Sequence, residues 1–256
     1  MNFQSRGRPL SDQGMDMVCE ILGVNDAEVW AILTVETRGF GYFTDRRPQI
    51  LFERHIFHRF TCETCIVEDE AICSPHPGGY CGGEDEYRRL QAAMQIDQHL
   101  ALQSASWGIA QIMGFNYAAA GFSTVEDMIE KMVENEDEQL LGMANFIKNS
   151  QLTLALQRRN WSAFARGYNG EDYKRNEYDT RLAAAHAKYS ITLPDLTLRT
   201  AQAALTYLGI SPGPIDGLRG RRTRAALVEF QKRAGLSCSG ELDAETELQL
   251  HQQAFA

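Results

Sequence analysis

No apolar run in the sequence approaches the roughly 20 residues that a membrane-spanning helix needs, and residues 1–24 lack the apolar core of a signal peptide. A soluble chain made in the cytoplasm is therefore expected, and work at the wall outside it would need release by a route other than general secretion. An excess of positive charge is also missing. Twenty-five Lys and Arg stand against 34 Asp and Glu, a net charge of −9, which leaves no cationic footprint for a phosphate backbone and sets nucleic acid aside as a partner. Proline is sparse, at 7 residues, and no low-complexity tract is present. With 44% hydrophobic and 23% charged residues, the composition is that of a core-forming protein, not of a disordered or fibrous one. At roughly 100–200 residues per domain, 256 residues allow one large unit or two unequal ones.

The break between two units falls at residues 190–196, where a helical pattern over 178–189 gives way to a Pro-containing stretch and a new amphipathic pattern begins. From Asp195 onward there are seven basic and seven acidic residues, so the whole −9 belongs to the part before it. Domains over residues 1–190 and 195–256 follow. The first reads as mainly helical with a small β-ribbon. Asn25-x-x-Glu28 and Ser123-x-x-Glu126 have the form of capping boxes ahead of apolar residues at helical spacing. Further helices are predicted at about 85–102, 136–149 and 161–168. Aromatic and β-branched residues around an Asp-Arg-Arg-Pro turn predict the ribbon over Gly41 to Phe52.

Glu36 follows Val29 by seven residues and Leu33 by three, so a helix continuing that far places its carboxylate on the buried stripe near the helix C-terminus. An apolar surround and the negative end of the helix dipole both favour the protonated form. Such a carboxyl suits protonation of a leaving oxygen, as in glycoside cleavage. On spacing alone the more ordinary reading is a helix that stops earlier and leaves Glu36 solvated.

Three segments together carry a resemblance: Thr34-Val35-Glu36-Thr37-Arg38-Gly39-Phe40-Gly41-Tyr42, Ser106-Trp107-Gly108-Ile109-Ala110-Gln111-Ile112-Met113-Gly114, and Ala165-Arg166-Gly167-Tyr168-Asn169-Gly170. The triple resembles the lysozyme-like superfamily of goose-type lysozymes and soluble lytic transglycosylases. With Leu51-Phe52-Glu53-Arg54-His55-Ile56-Phe57 and Pro77-Gly78-Gly79-Tyr80 added, residues 10–190 look like the N-acetylmuramidase domain of phage endolysins. The resemblance implies a lysozyme-like α+β fold, Glu36 as general acid, and a saccharide cleft lined by Ser106, Trp107, Gly108, Gln111, Tyr168 and Asn169. Physically, Gly108 would let backbone approach a sugar, Gln111 and Asn169 offer paired donors and acceptors, and Trp107 and Tyr168 could stack on pyranose faces. Read without the family, the same apolar residues are ordinary core and Tyr-Asn-Gly is an ordinary turn.

A hydrolase needs a second carboxylate, whereas a transglycosylase can let the sugar's own hydroxyl attack. Glu53, just after the ribbon strand, is the expected partner of Glu36, with Asp45 in reserve; an ion pair of Glu53 with Arg54 or His55 is the plain alternative. Catalysis is expected to need no cofactor. Cys62, Cys65, Cys73 and Cys81 crowd into twenty residues, and the Cys-x2-Cys pair at their head is a common knuckle of tetrahedral zinc sites. Structural zinc on these four, with His58 or His76 as substitutes, stands beside disulfides or unligated thiols as the reading of the cluster.

From residue 197 onward, helix, Gly/Pro turn, helix, Gly-rich turn and helix alternate over about 60 residues. Leu198, Ala201, Gln202, Leu205 and Leu208 form one stripe, and Ala226, Leu227, Phe230 and Leu236 another. Asp216-Gly217, Gly220-x-x-Thr223, Phe230-Gln231, Gly235-Leu236, Gly240 and Asp243-x-x-Thr246 resemble the peptidoglycan-binding domain attached to many cell-wall hydrolases. Asp216, Gly217 and Arg219 are the expected wall contacts, and tethering would raise local substrate concentration. Together the resemblances imply a monomeric endolysin that cleaves the β-1,4 bond after N-acetylmuramic acid in peptidoglycan. Synthesis in the host cytoplasm and action on the wall in the periplasm after release go with that reading. The rival readings are a lytic transglycosylase giving anhydro-muramic ends, a non-catalytic wall-binding or virion protein, and a secreted antibacterial effector.

Overall fold

The computed structural model describes residues 2–37, 39–61 and 69–255. Its larger unit is organised around the helix Asp26–Thr37, in which Val29, Trp30, Ile32 and Leu33 are each 2% exposed or less, so apolar side chains leave it in every direction. A helix that is apolar all round belongs inside a core. The helices Asp12–Leu22 and Tyr178–Tyr189 pack against it, and Glu136–Asn149 packs on the first of these.

Local chemistry sets the helix ends. The Asn25 amide donates to the Glu28 carboxylate at 3.2 Å, the returning half of the expected capping box. At the second expected box the cap lies one residue later: the Thr124 hydroxyl accepts from the Asp127 amide, and Asp127 accepts from the Ser123 amide. The single helix predicted over 85–102 is two, Glu86–Met94 and Gln98–Gln103, because Asp97 takes extended backbone and caps the second through the Leu100 amide.

The ribbon forms where predicted, with Tyr42 bridged to Pro48 and the Phe43 amide donating to the Arg47 carbonyl at 2.8 Å. It leads into β1 (Ile50–Phe52), which pairs antiparallel with β2 (Ala105–Trp107), itself paired with β3 (Ile112–Met113). The last two strands were not anticipated. Their two- and three-residue lengths carry no readable alternation.

The smaller unit consists of the helices Leu196–Tyr207, Arg221–Ala234 and Ala244–Phe255 around a core that includes Leu205, Phe230 and Leu250. Two fully buried glutamines clasp its turns. Gln202 accepts from the Asp216 and Gly217 amides and donates to Thr223, and Gln231 accepts from the Gly240 amide and donates to Thr246. This is an internal repeat.

The two units share a buried contact. Arg199, with no exposure, donates to both carboxylate oxygens of Glu136 at 2.6 and 2.9 Å and to the Gly39 carbonyl, and Tyr207 donates to the Gly7 carbonyl. Phe40 and Tyr42 pack on Ala203 beside them. Among the described residues no helix is long and apolar enough to cross a membrane.

Candidate functional site

Glu36 lies in the last turn of the central helix, whose end is set by Gly39 in left-handed conformation with its amide on the Leu33 carbonyl. The side chain is half-buried, and its Oε1 accepts from Asn169 Nδ2 at 2.9 Å. Removal from water pushes its pKa up to about 7, against the Asn169 amide and the Arg181 charge, which both pull it down. A carboxyl so placed holds its proton near neutrality. Two residues around it were not foreseen. Arg181 donates to the Val35 carbonyl at 2.8 Å, and Tyr178 stands under the Arg181 guanidinium and feels the Glu36 charge. Both sit on the helix Tyr178–Tyr189, where helical spacing alone marks neither as special.

The turn between β2 and β3 is held by its own side chains. Gly108 and Gln111 have φ of 72° and 50°. The Gln111 amide donates to the Gly108 and Gln49 carbonyls, and its oxygen accepts from Ser106. A side chain on Gly108 would strike Gln139, so glycine is required here by the turn and by packing. The Tyr168 hydroxyl donates to the Ala110 carbonyl while its ring stacks on Phe164, which fastens this turn to the helix bearing Asn169. Burial raises the Tyr168 pKa well above its usual range.

Four expectations change accordingly. Trp107 is fully buried against Phe3 and Tyr87, with Nε1 on the Leu102 carbonyl, and has no face for a sugar. Gly108, Gln111 and Tyr168 spend the groups expected to meet substrate on building the turn. Of the six residues expected to line the cleft, Asn169 is the one that touches Glu36.

Glu53 stands just beyond β1, its carboxylate accepting from Tyr80 at 3.0 and 3.1 Å and lying 3.2 Å from His55. The strand end and the Tyr80 loop are fixed by a buried pair that spacing did not reveal. Glu86 accepts from the Phe52, Cys81 and Gly82 amides, and Arg89 binds Glu86 at 2.6 Å and the Phe52 carbonyl at 2.8 Å. Burial and the Glu53 charge push Tyr80 up to about 12. Asp45, the reserve carboxylate, is tied to Arg47 in the ribbon turn.

Cys73 is disulfide-bonded, its partner lying outside the described residues, and Cys81 is free and exposed. Cys62 and Cys65 fall outside the described residues. A sulfur in a disulfide is not a thiolate ligand, so Cys73 leaves the expected zinc set. No group of three His, Cys, Asp or Glu among the described residues could hold a metal.

In the smaller unit Asp216 and Gly217 face inward to the Gln202 clasp, and a side chain on Gly217 would strike the Asp195 backbone, so both shape the turn. Arg219 faces solvent, paired with Glu241 at 3.0 Å. It borders a pocket of about 280 Å³ with Arg221, Arg224, Glu241, Leu227 and Leu242, a rim of three arginines and one carboxylate over an apolar floor.

Residues 25–190 match the family model described as N-acetylmuramidase, and residues 196–250 match that of a putative peptidoglycan binding domain. Among curated proteins no relative matches the chain. Among solved structures the chain is similar to the Burkholderia AP3 phage endolysin. The two are 37% identical over 72% of this chain and 71% of that one, with a TM-score of 0.65. The fold, the domain pair and these matches agree that the chain is a glycoside hydrolase of the endolysin type acting on peptidoglycan, and it belongs to the N-acetylmuramidase family.

Proposed function

We propose that the protein hydrolyses the β-1,4 bond between N-acetylmuramic acid and N-acetylglucosamine, with Glu36 protonating the leaving oxygen. The observation that carries this reading is the half-buried Glu36 carboxyl, raised to about 7 and fixed by Asn169 at 2.9 Å. An acid with a pKa near 7 keeps a large share of its proton at neutral pH and yields it readily, the compromise a general acid needs. Asn169 donates to one oxygen, which orients the carboxyl and leaves the other to carry the proton.

Glu53 is the second carboxylate in this account. Tyr80 and His55 hold it in one orientation, suited to activating a water or stabilising the positive charge that develops on the sugar. The cationic pocket at Arg219 and Arg224 would take the carboxylates of the stem peptides and anchor the enzyme on the wall. In this reading the protein acts as a monomer, is made in the host cytoplasm and meets its substrate in the periplasm after release.

The test is reducing-end release from purified sacculi by wild type and by Glu36→Gln. Release of reducing ends by the first and not by the folded second is expected. Equal release by both would remove Glu36 from the mechanism.

A further inference from the structure

A groove of about 720 Å³ runs between the two units. Thr37, Thr44 and Gln49 line it from the larger unit, and Thr206 and Ser211 from the smaller, over a floor that includes Phe40. Among the described residues no charged side chain lines it. We propose that this groove is a second saccharide site, one that holds the uncut glycan strand beyond the sugars at Glu36. The inference rests on the muramidase reading above.

Three properties support it. The groove is permanent, because its two walls are locked by the buried Arg199–Glu136 pair and by Tyr207 on the Gly7 carbonyl. A flexibly tethered module would leave no fixed cavity there. Its lining is chemically selective: Thr37 donates its hydroxyl proton to the Ile109 carbonyl, Thr44 to Glu84 and Thr206 to the Gln202 carbonyl. With their protons spent, these hydroxyls present acceptor lone pairs. With the Ser211 hydroxyl and the Gln49 amide able to donate as well, the matching ligand is uncharged and carries both donors and acceptors, which describes the hydroxyls and acetamido groups of an amino-sugar chain and not an anionic stem peptide. The groove also lies next to Glu36 in the chain and against the turn between β2 and β3. Thr37 follows Glu36, and the Gln49 carbonyl accepts from both Gln111 Nε2 and the Gly108 amide. Its volume lies within the roughly 300–1,000 Å³ typical of small-ligand sites.

Ser211→Trp tests the proposal, since Ser211 is exposed on the smaller unit's wall and an indole there fills the groove without disturbing a core. Cleavage should be measured on long glycan strands and on a tetrasaccharide cut from them. The expected result is a fall in kcat/KM of about tenfold on the strands, with change under about twofold on the tetrasaccharide. Equal effects on both substrates, or none on either, would overturn it. Binding of an N-acetylglucosamine hexamer to Glu36→Gln protein, with and without Ser211→Trp, gives an answer that does not depend on turnover. Weaker binding with tryptophan supports the groove even if Glu36 proves not to be the acid; unchanged binding counts against it.

Discussion

Replacing Arg199 by Met removes the cation at the junction of the two units while keeping an unbranched side chain in its place. Arg199 and Glu136 are both fully buried. The guanidinium gives two hydrogen bonds to the carboxylate, at 2.6 and 2.9 Å, and two to the Gly39 carbonyl, at 3.1 and 2.5 Å. Without it Glu136 keeps the Leu10 and Gly41 amides, each at 2.7 Å, but no counter-charge. Removing one member of a buried pair costs roughly 3–5 kcal/mol, because the remaining charge is stranded away from water. Arg199→Met combined with Glu136→Gln strands no ion and should cost less than Arg199→Met alone. Urea unfolding of wild type, both single variants and the double measures that coupling. A domain holds about 5–15 kcal/mol, so Arg199→Met should still fold, with an earlier midpoint. A loss under about 1 kcal/mol, the scale of an exposed pair, would refute the argument. The same reasoning applies to a fragment ending at residue 190, which keeps Glu136, loses Arg199 and uncovers Phe40 and Tyr42. It should be markedly less stable than the full chain, contrary to what two independent modules on a tether would show.

Glu36→Gln should lower the rate on the order of 10²–10⁴-fold. The wild-type kcat/KM should decline as pH rises through about 7, where the acid ionises. Its raised pKa also bears on stability. The protonated form is favoured in the fold, so stability present below the ordinary 4.5 is lost as pH climbs toward 7; urea unfolding above pH 7 should find Glu36→Gln more stable than wild type by up to about 3 kcal/mol. Glu53→Gln should abolish hydrolysis and leave sedimentation with sacculi intact, whereas loss of hydrolysis by Asp45→Asn alone would show the ribbon carboxylate to be the partner. Trp107→Ala should cost about 3–5 kcal/mol in thermal or urea unfolding, as a core residue does; a changed KM in a protein of unchanged stability would return it to the cleft. Arg219→Ala with Arg224→Ala should weaken sacculus binding at an unaltered Tm, and unaltered binding would move the wall contact elsewhere.

The central helix and the three-helix unit were legible because each repeats its pattern over many residues, and the ribbon because its polar Asp-Arg-Arg-Pro turn is flanked by aromatic and β-branched residues. Glu36 was legible only with help: spacing allows it a place on the Val29 face, and the matching segments around Gln111 and Tyr168 are what singled it out. The short strands Ala105–Trp107 and Ile112–Met113 were not, since two or three residues define no period. Trp107 and Tyr168 were misplaced for another cause. An aromatic ring suits a sugar face and a core equally well, and partners distant in sequence, Phe3 and Tyr87 for Trp107 and Phe146 and Ala110 for Tyr168, decide between them. Arg89 and Arg199 escaped notice because a buried charge is recognised by its partner, and Arg181 because an exposed arginine on a helix looks like any other until its partner, the Val35 carbonyl, is known. Glu136 lies 63 residues from Arg199, and no local pattern joins them.

Mass spectrometry of the muropeptides released from purified sacculi tests the central claim most directly. Wild-type protein should give fragments ending in reducing N-acetylmuramic acid, and Glu36→Gln should give none. Anhydro-muramic ends would mean that the sugar's own hydroxyl attacks and that no hydrolytic water is used. Reducing N-acetylglucosamine ends would place the cut at the other glycosidic bond, and either result would contradict the account.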